Sequence, residues 1–299
     1  MTAARFTSTL PATPPFELRQ SLRVIGGFAP CTGEQELSDG AVRKAFGLRG
    51  GRAAMVTVTA APGCGVTVRG DAPEPLGPAD VAALETAVAR WLSLDDDLTD
   101  FLAIAADDPA MRDILAVTRG LHQVRFASLA EGAAYFVLTQ RTSQALAGAR
   151  KRRLAAAFGP RIKVDDQEWG AFPTLDTLAG LGAGELAPFT GNARQTDYLV
   201  HVLRGVGDIG EEYLRTAPYA DASAALRAIR GVGAFTASAI LLRALGRPDE
   251  VSLEMAQFAQ PVAQVYGDQT PVEAVRERYG RHVGWWAYFT RIGLGWLGE

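Results

Sequence analysis

Residues 224–242 read AALRAIRGVGAFTASAILL: a helix, a tight turn framed by Gly231 and Gly233, and a second helix. The glycines permit a turn that side chains would block, and they leave the first N–H groups of the second helix bare at its positive end. Such amides hold a phosphate through aligned peptide dipoles, without needing Lys or Arg. An ordinary helical hairpin with a glycine turn shares this short pattern, so its surroundings decide its meaning. A second glycine-rich stretch, Arg204-Gly205-Val206-Gly207-Asp208-Ile209-Gly210, lacks the following Thr-Ala helix and reads as a helix C-terminal stop.

The surroundings are helical from Pro78 onward. Apolar periodicity predicts helices over 79–92, 98–105, 109–118, 129–158, 174–181 and 193–206, with no comparable β signal. Start signals accompany several of them: Asp96-Asp97, Ser128 three residues before Glu131, and Asp221-Ala222-Ser223. Upstream, a lead-in with Pro11, Pro14 and Pro15 precedes a short helix over 16–28 that ends at Gly26-Gly27. Two β-like runs, 54–60 and 66–69, are joined by Pro62-Gly63-Cys64-Gly65, a hairpin-turn composition. The expected fold class is α+β: a small N-terminal α+β domain over 1–108, then an all-α region over 109–299. A chain of 299 residues that is 48% hydrophobic can bury a large core divided into two or three domains.

A net charge of -3 argues against a non-specific nucleic-acid coat, yet residues 132–164 hold seven basic side chains and no acid. These are Arg141, Arg150, Lys151, Arg152, Arg153, Arg161 and Lys163, either a solvated helix face or a patch that guides a polyanion. No apolar run reaches about 18 residues and the opening 1–15 lacks a secretory pattern, so the expectation is a cytoplasmic protein with no membrane partner. Cys31 and Cys64 are too few for a disulfide framework or a cysteine-built zinc or iron–sulfur site, and both read as structural. His122, His201 and His282 show no metal spacing and are assigned no catalytic role.

Leu226, Ile229, Gly231, Val232, Gly233, Thr236 and Ala237 resemble the helix-hairpin-helix motif of the base-excision DNA glycosylases, with Arg230 where that family has proline. The likeness runs over roughly 121–296. The stretch Ala133-Ala134-Tyr135-Phe136-Val137-Leu138-Thr139-Gln140-Arg141-Thr142-Ser143 resembles the family's helix-to-loop segment that lies against DNA at the lesion, with Arg141 in place of a second Gln. Asn192 to Leu199 resembles the stretch before the hairpin, and Phe16 to Leu22 the opening of the bacterial 3-methyladenine glycosylase II subgroup. The resemblance implies damaged double-stranded DNA as partner, a monomer, two helical subdomains with a lesion cleft between them, and DNA contacts at Gly231, Val232, Gly233, Thr236, Gln140, Arg141, Thr142 and Ser143.

It also implies a chemistry. Enzymes of this family flip the target nucleotide and hydrolyse its glycosidic bond, so a carboxylate must face the developing cation. The family places an Asp a little over twenty residues past the hairpin, where this chain has Glu254, the only acid in 251–255. Three readings stay open: Glu254 serves as the catalytic carboxylate, the protein binds lesions without cutting, or Glu254 is a surface residue and Asp249 or Glu250 acts instead. Bifunctional members carry a lysine where Phe235 stands, and an aromatic ring cannot form an imine, so strand cleavage is not expected. Phe235, Trp285 and Tyr135 are the implied base pocket; aromatic faces favour cationic alkylated bases, although a terminal-helix tryptophan is often core. The main-chain carbonyls of Arg227, Ile229 and Val232 are the implied ligands of a sodium or potassium ion. No cofactor is required and no iron–sulfur cluster is expected. The expected function is removal of 3-methyladenine-type bases by a monofunctional N-glycosylase; a lesion-binding protein and a protein-interaction scaffold are the alternatives.

Overall fold

The computed structural model describes residues 4–298; the expected segments 1–108 and 109–299 and the opening 1–15 each include residues outside these. The N-terminal part is one five-stranded antiparallel sheet of order β1-β5-β4-β3-β2. Its strands are β1 (Ala4–Pro11), β2 (Gln35–Ser38), β3 (Ala41–Gly47), β4 (Ala53–Ala60) and β5 (Gly65–Ala72). β4 and β5 are the two β-like runs, paired with Val58 opposite Val68. The other three strands were not expected. β1 and β2 lie at the edges, where half-exposed polar residues suffice, so neither produces a run of buried β-branched residues. The helix α1 (Leu18–Gly27) falls where it was expected.

Helices follow: α2 (Pro78–Leu92), α3 (Thr99–Ala106), α4 (Arg112–Val117), α5 (Leu129–Leu138) and α6 (Gln144–Phe158). The expected single helix over 129–158 is two helices. Thr139–Ser143 interrupt it, and Ser143 caps the second by accepting the Leu146 amide at 3.3 Å. A two-stranded hairpin, β6 (Arg161–Val164) and β7 (Gln167–Gly170), then corrects the expectation that no β structure returns after Pro78. Its turn, Asp165-Asp166, has both residues at positive φ, 52° and 62°, the geometry that hairpin twist demands and that Asn-Gly usually signals.

The remaining helices are α7 (Leu175–Ala179), α8 (Ala183–Leu186), α9 (Ala193–Ile209), α10 (Glu211–Thr216), α11 (Tyr219–Ala228), α12 (Ala234–Arg243), α13 (Ala256–Tyr266), α14 (Val272–Tyr279) and α15 (Val283–Leu297). α9 continues through Gly205 and Gly207 and stops only at Gly210, φ 86°, so the second glycine-rich stretch is mostly helix interior. Gly205 is small because α9 crosses the hairpin there: a Cβ would lie 2.8 Å from the Ile229 side chain. Asp221 and Ser223 lie inside α11, whose start is set by Pro218, and do not precede it. Among the described residues no helix is long and apolar enough to cross a membrane.

Two large hydrophobic clusters organise the core of the described residues, and a small third one packs Met55 of the sheet against Ile162 and Trp169 of the β6–β7 hairpin. One joins the inner face of the sheet, α1, α2 and α3 to the C-terminal helices, including Trp285, Trp286 and Phe289; the other holds α5, α9, α11 and α12 around Leu138, Leu199, Leu226 and Ile240. A buried polar joint links them: the fully buried Lys151 ammonium donates to Glu131 and, at 2.7 Å, to Glu34, with Cys31 Sγ 3.4 Å away. Cys31, Glu34 and Glu131 lie as close together as metal ligands would, but here the ammonium supplies the cation they surround.

Candidate nucleic-acid interface

The hairpin forms as its sequence suggests. α11 ends at Ala228, Ile229 turns extended, and the Val232 amide donates to the Ile229 carbonyl at 3.0 Å. Gly231, at φ 94°, is obligatory: a Cβ would sit 2.5 Å from Cγ of Tyr198. Gly233 corrects the expectation that both glycines are needed by the turn. Its φ of -89° suits any residue, and nothing lies within 4 Å of where its Cβ would be. It leaves the backbone open outward. No side chain caps α12, and the first intrahelical bond there runs from Ala237 N–H to Gly233, so the amides of Ala234, Phe235 and Thr236 have no intrahelical partner.

Gln140, at the end of α5, locks the turn. Its Nε2 donates to the Gly231 carbonyl at 2.8 Å and lies 3.4 Å from the hydroxyl of buried Thr236. Gln195 holds Gln140's own segment in place, a role the sequence did not reveal because most of its partners are main-chain atoms. From α9 it donates to the carbonyls of Val137 and Leu138 at 3.1 and 3.3 Å and accepts from the Gly191 amide and Arg150. Beyond Gln140 the chain bends outward at Arg141, which has φ 53° and is exposed. Arg141, Thr142 and Ser143 line a cavity of about 470 Å³, together with Arg150, Arg194 and the exposed Leu146. The basic patch is thinner than expected: Lys151 is buried, and Arg161 and Lys163 pair with Glu168 and Asp166.

The pocket residues are less united. Phe235 is half-buried, edge-on to Phe136 at 6.5 Å, and Tyr135 is buried between Phe126 and Phe136. Trp285 belongs to the other cluster, where it stacks on His282 at 5.5 Å and meets Phe101 at 6.1 Å; its indole N–H is buried without a partner. Burial and the nearby Arg281 push the His282 pKa down. Trp286 is fully buried and donates to the Tyr266 hydroxyl at 3.0 Å, which makes it core.

Glu254 stands two residues before α13, 60% exposed, and pairs with Arg276 of α14. A hydrogen bond from its own main-chain N–H, aided by Arg276, holds its carboxyl below the usual carboxylate range. It is therefore ionised at neutral pH, and one cation already answers it. Of the other acids, Asp249 lies 3.7 Å from Arg247, and Glu250, with Asp249, helps burial raise the Tyr219 hydroxyl.

The hairpin, the five-stranded sheet before it and the helical clusters around it together define a fold also found among solved structures. Over 97% of this chain and 99% of the other, it superposes on a 3-methyladenine DNA glycosylase from Archaeoglobus fulgidus with a TM-score of 0.76 at 19% identity. The fold is that of the helix-hairpin-helix DNA glycosylases. No family model matches it. It is 29% identical over 163 residues to a DNA-3-methyladenine glycosylase of Bacillus subtilis. It is also 31% identical over 269 residues, 83% of this chain, to a Mycobacterium tuberculosis protein named probable bifunctional transcriptional activator/DNA repair enzyme AlkA. The chain spans about half the length of these curated relatives, 54% and 50%.

Proposed function

We propose that this chain is a base-excision repair enzyme, a monofunctional N-glycosylase that takes alkylated bases of the 3-methyladenine type out of duplex DNA. The observation that carries this reading is the hairpin: amides without intrahelical partners at the start of α12, an unobstructed Gly233 in front of them, and Gln140 fixing the turn at 2.8 Å. These groups suit a DNA phosphate, with Val232, Thr236, Thr142 and Ser143 along the same backbone path. α11 ends at Ala228, and the main-chain carbonyls of Arg227, Ile229 and Val232 around the turn suit a sodium or potassium ion.

The lesion nucleotide is turned out toward Phe235, Tyr135 and Trp285, and Arg141 or Thr142 fills the vacated stack. An alkylated base is already cationic, so the C1′–N bond breaks with its electron pair going to the base and needs no general acid. The sugar takes the positive charge, Glu254 stabilises it, and water adds at C1′ and gives up a proton to solvent. No iron–sulfur cluster or other cofactor enters the reaction, and a monomer acting in the cytoplasm suffices. With Phe235 where an imine-forming lysine would stand, the product is an intact strand bearing an abasic site.

The test is release of methylated bases from alkylated duplex DNA, with the strands run on a denaturing gel with and without alkali. Base release with breaks appearing only after alkali is the expected result; breaks without alkali would refute the monofunctional reading. A second reading, a lesion-binding protein without hydrolysis, is favoured by the exposure of Glu254 and its pairing with Arg276. It predicts binding to abasic-analogue duplexes with no base released.

A further inference from the structure

The hairpin turn carries one charge that its amides do not need. Arg230 occupies the outer corner of the turn, between Ile229 and the positive-φ Gly231, with its side chain 67% exposed. Its Nε lies 2.9 Å from Oδ2 of Asp197 on α9. This is a contact of charges without hydrogen-bond alignment, because Asp197 Oδ2 is buried and has no hydrogen-bond partner. The pair is therefore held by charge and not by a directed hydrogen bond. Asp197 also faces His201, whose Nδ1 is 3.4 Å from Oδ1. On the other side of Tyr198, the ring that packs beneath Gly231, exposed Arg194 donates to the Tyr198 hydroxyl at 2.7 Å. Arg230 on the turn and Arg194 on the tyrosine beneath it are thus both exposed guanidiniums, and one carboxylate offsets the first.

We propose that Arg230 is a DNA-binding residue that exchanges Asp197 for a backbone phosphate beside the one held by the hairpin amides, and that Asp197 restrains DNA affinity in the free protein. The proposal rests on the DNA-binding reading of the hairpin. The Arg230 and Asp197 side chains are 67% and 34% exposed, so water reaches the carboxylate when the covering guanidinium leaves, and a pair this open contributes little net energy. A phosphate offers the guanidinium the aligned, paired acceptors that Asp197 does not. His201 remains beside Asp197 after Arg230 leaves.

The test measures affinity of the full chain for an abasic-analogue duplex over a range of salt concentrations, in wild type, Arg230→Ala, Arg230→Lys, Asp197→Asn and the Arg230→Ala/Asp197→Asn double variant. Each phosphate neutralised contributes about 0.9 to the slope of log affinity against log salt. Arg230→Ala is expected to weaken binding and flatten the slope by about that amount, and Arg230→Lys to keep it. Asp197→Asn is expected to tighten binding when Arg230 is present and to change nothing when it is absent. A steep wild-type slope left unchanged by Arg230→Ala would overturn the proposal and spare the hairpin reading. An Asp197→Asn effect that persists without Arg230 would overturn the restraint. Binding that does not depend on salt even in wild type would remove both.

Discussion

Two carboxylate–cation pairs in this chain have opposite fates. Glu131 and Lys151 meet at the joint between the sheet and the helices with no exposure on either side chain, while Glu254 and Arg276 meet on a loop with 60% and 34% exposed. Burial alone would push Glu131 up, but Lys151 and then Lys44 overcome it and bring its pKa to about 2. Neither partner there can leave without stranding a charge out of water. Glu254 is also held ionised, yet water can replace Arg276 at little cost. The same pairing is fixed where it is enclosed and exchangeable where it is open.

The contrast breaks most easily at its buried end. Lys151→Met leaves Glu131 and Glu34 facing each other and is expected to cost about 3–5 kcal/mol in urea or thermal unfolding; a loss below about 1 kcal/mol would mean that the joint does not hold the two parts together. Next in size is Gly231→Ala, which forces a side chain into positive φ and onto Tyr198. It should cost roughly 1–3 kcal/mol, whereas Gly233→Ala, with open space at its Cβ, should weaken DNA binding more than it weakens the fold.

Acid separates the pairs further. Because the Glu131 pKa is lowered from 4.5 to about 2, its contribution is complete above pH 4.5 and is lost as pH falls toward 2. Glu34 opposes this in part, since burial and the charge of Glu131 raise its pKa. Unfolding midpoints measured across this range should fall more steeply in wild type than in Lys151→Met. The smallest effect is expected of Arg276→Ala: less than about 1 kcal/mol in stability, with base release retained. A collapse of release there would make Arg276 part of the site.

The sequence made the hairpin legible because its signals are local: apolar spacing, glycines at a turn and Thr236 on the next helix. The same holds for α9 and for β4 with β5. Three of the sheet's strands escaped for physical reasons. β3 carries Lys44 inward, where a polar residue hides a buried strand, and its reason for being there is Glu34 at 3.8 Å and, through Glu34, Lys151 far along the chain. β1 and β2 border the sheet and need few apolar residues. Gln195, Arg276 and Asp197 were missed because each acts through partners that only the fold brings near. Trp285 shows the limit from the other side. Its place in the last helix was readable, but its packing on His282 and Phe101, apart from Phe235, was not.

We propose that Glu254, exposed on its loop, leaves Arg276 to face the sugar cation. The most direct measurement is single-turnover base release from methylated duplex DNA by wild type and Glu254→Gln, with binding to an abasic-analogue duplex measured alongside. The account predicts release falling by roughly 10²–10³-fold in the variant with binding kept; equal release from both proteins would contradict it.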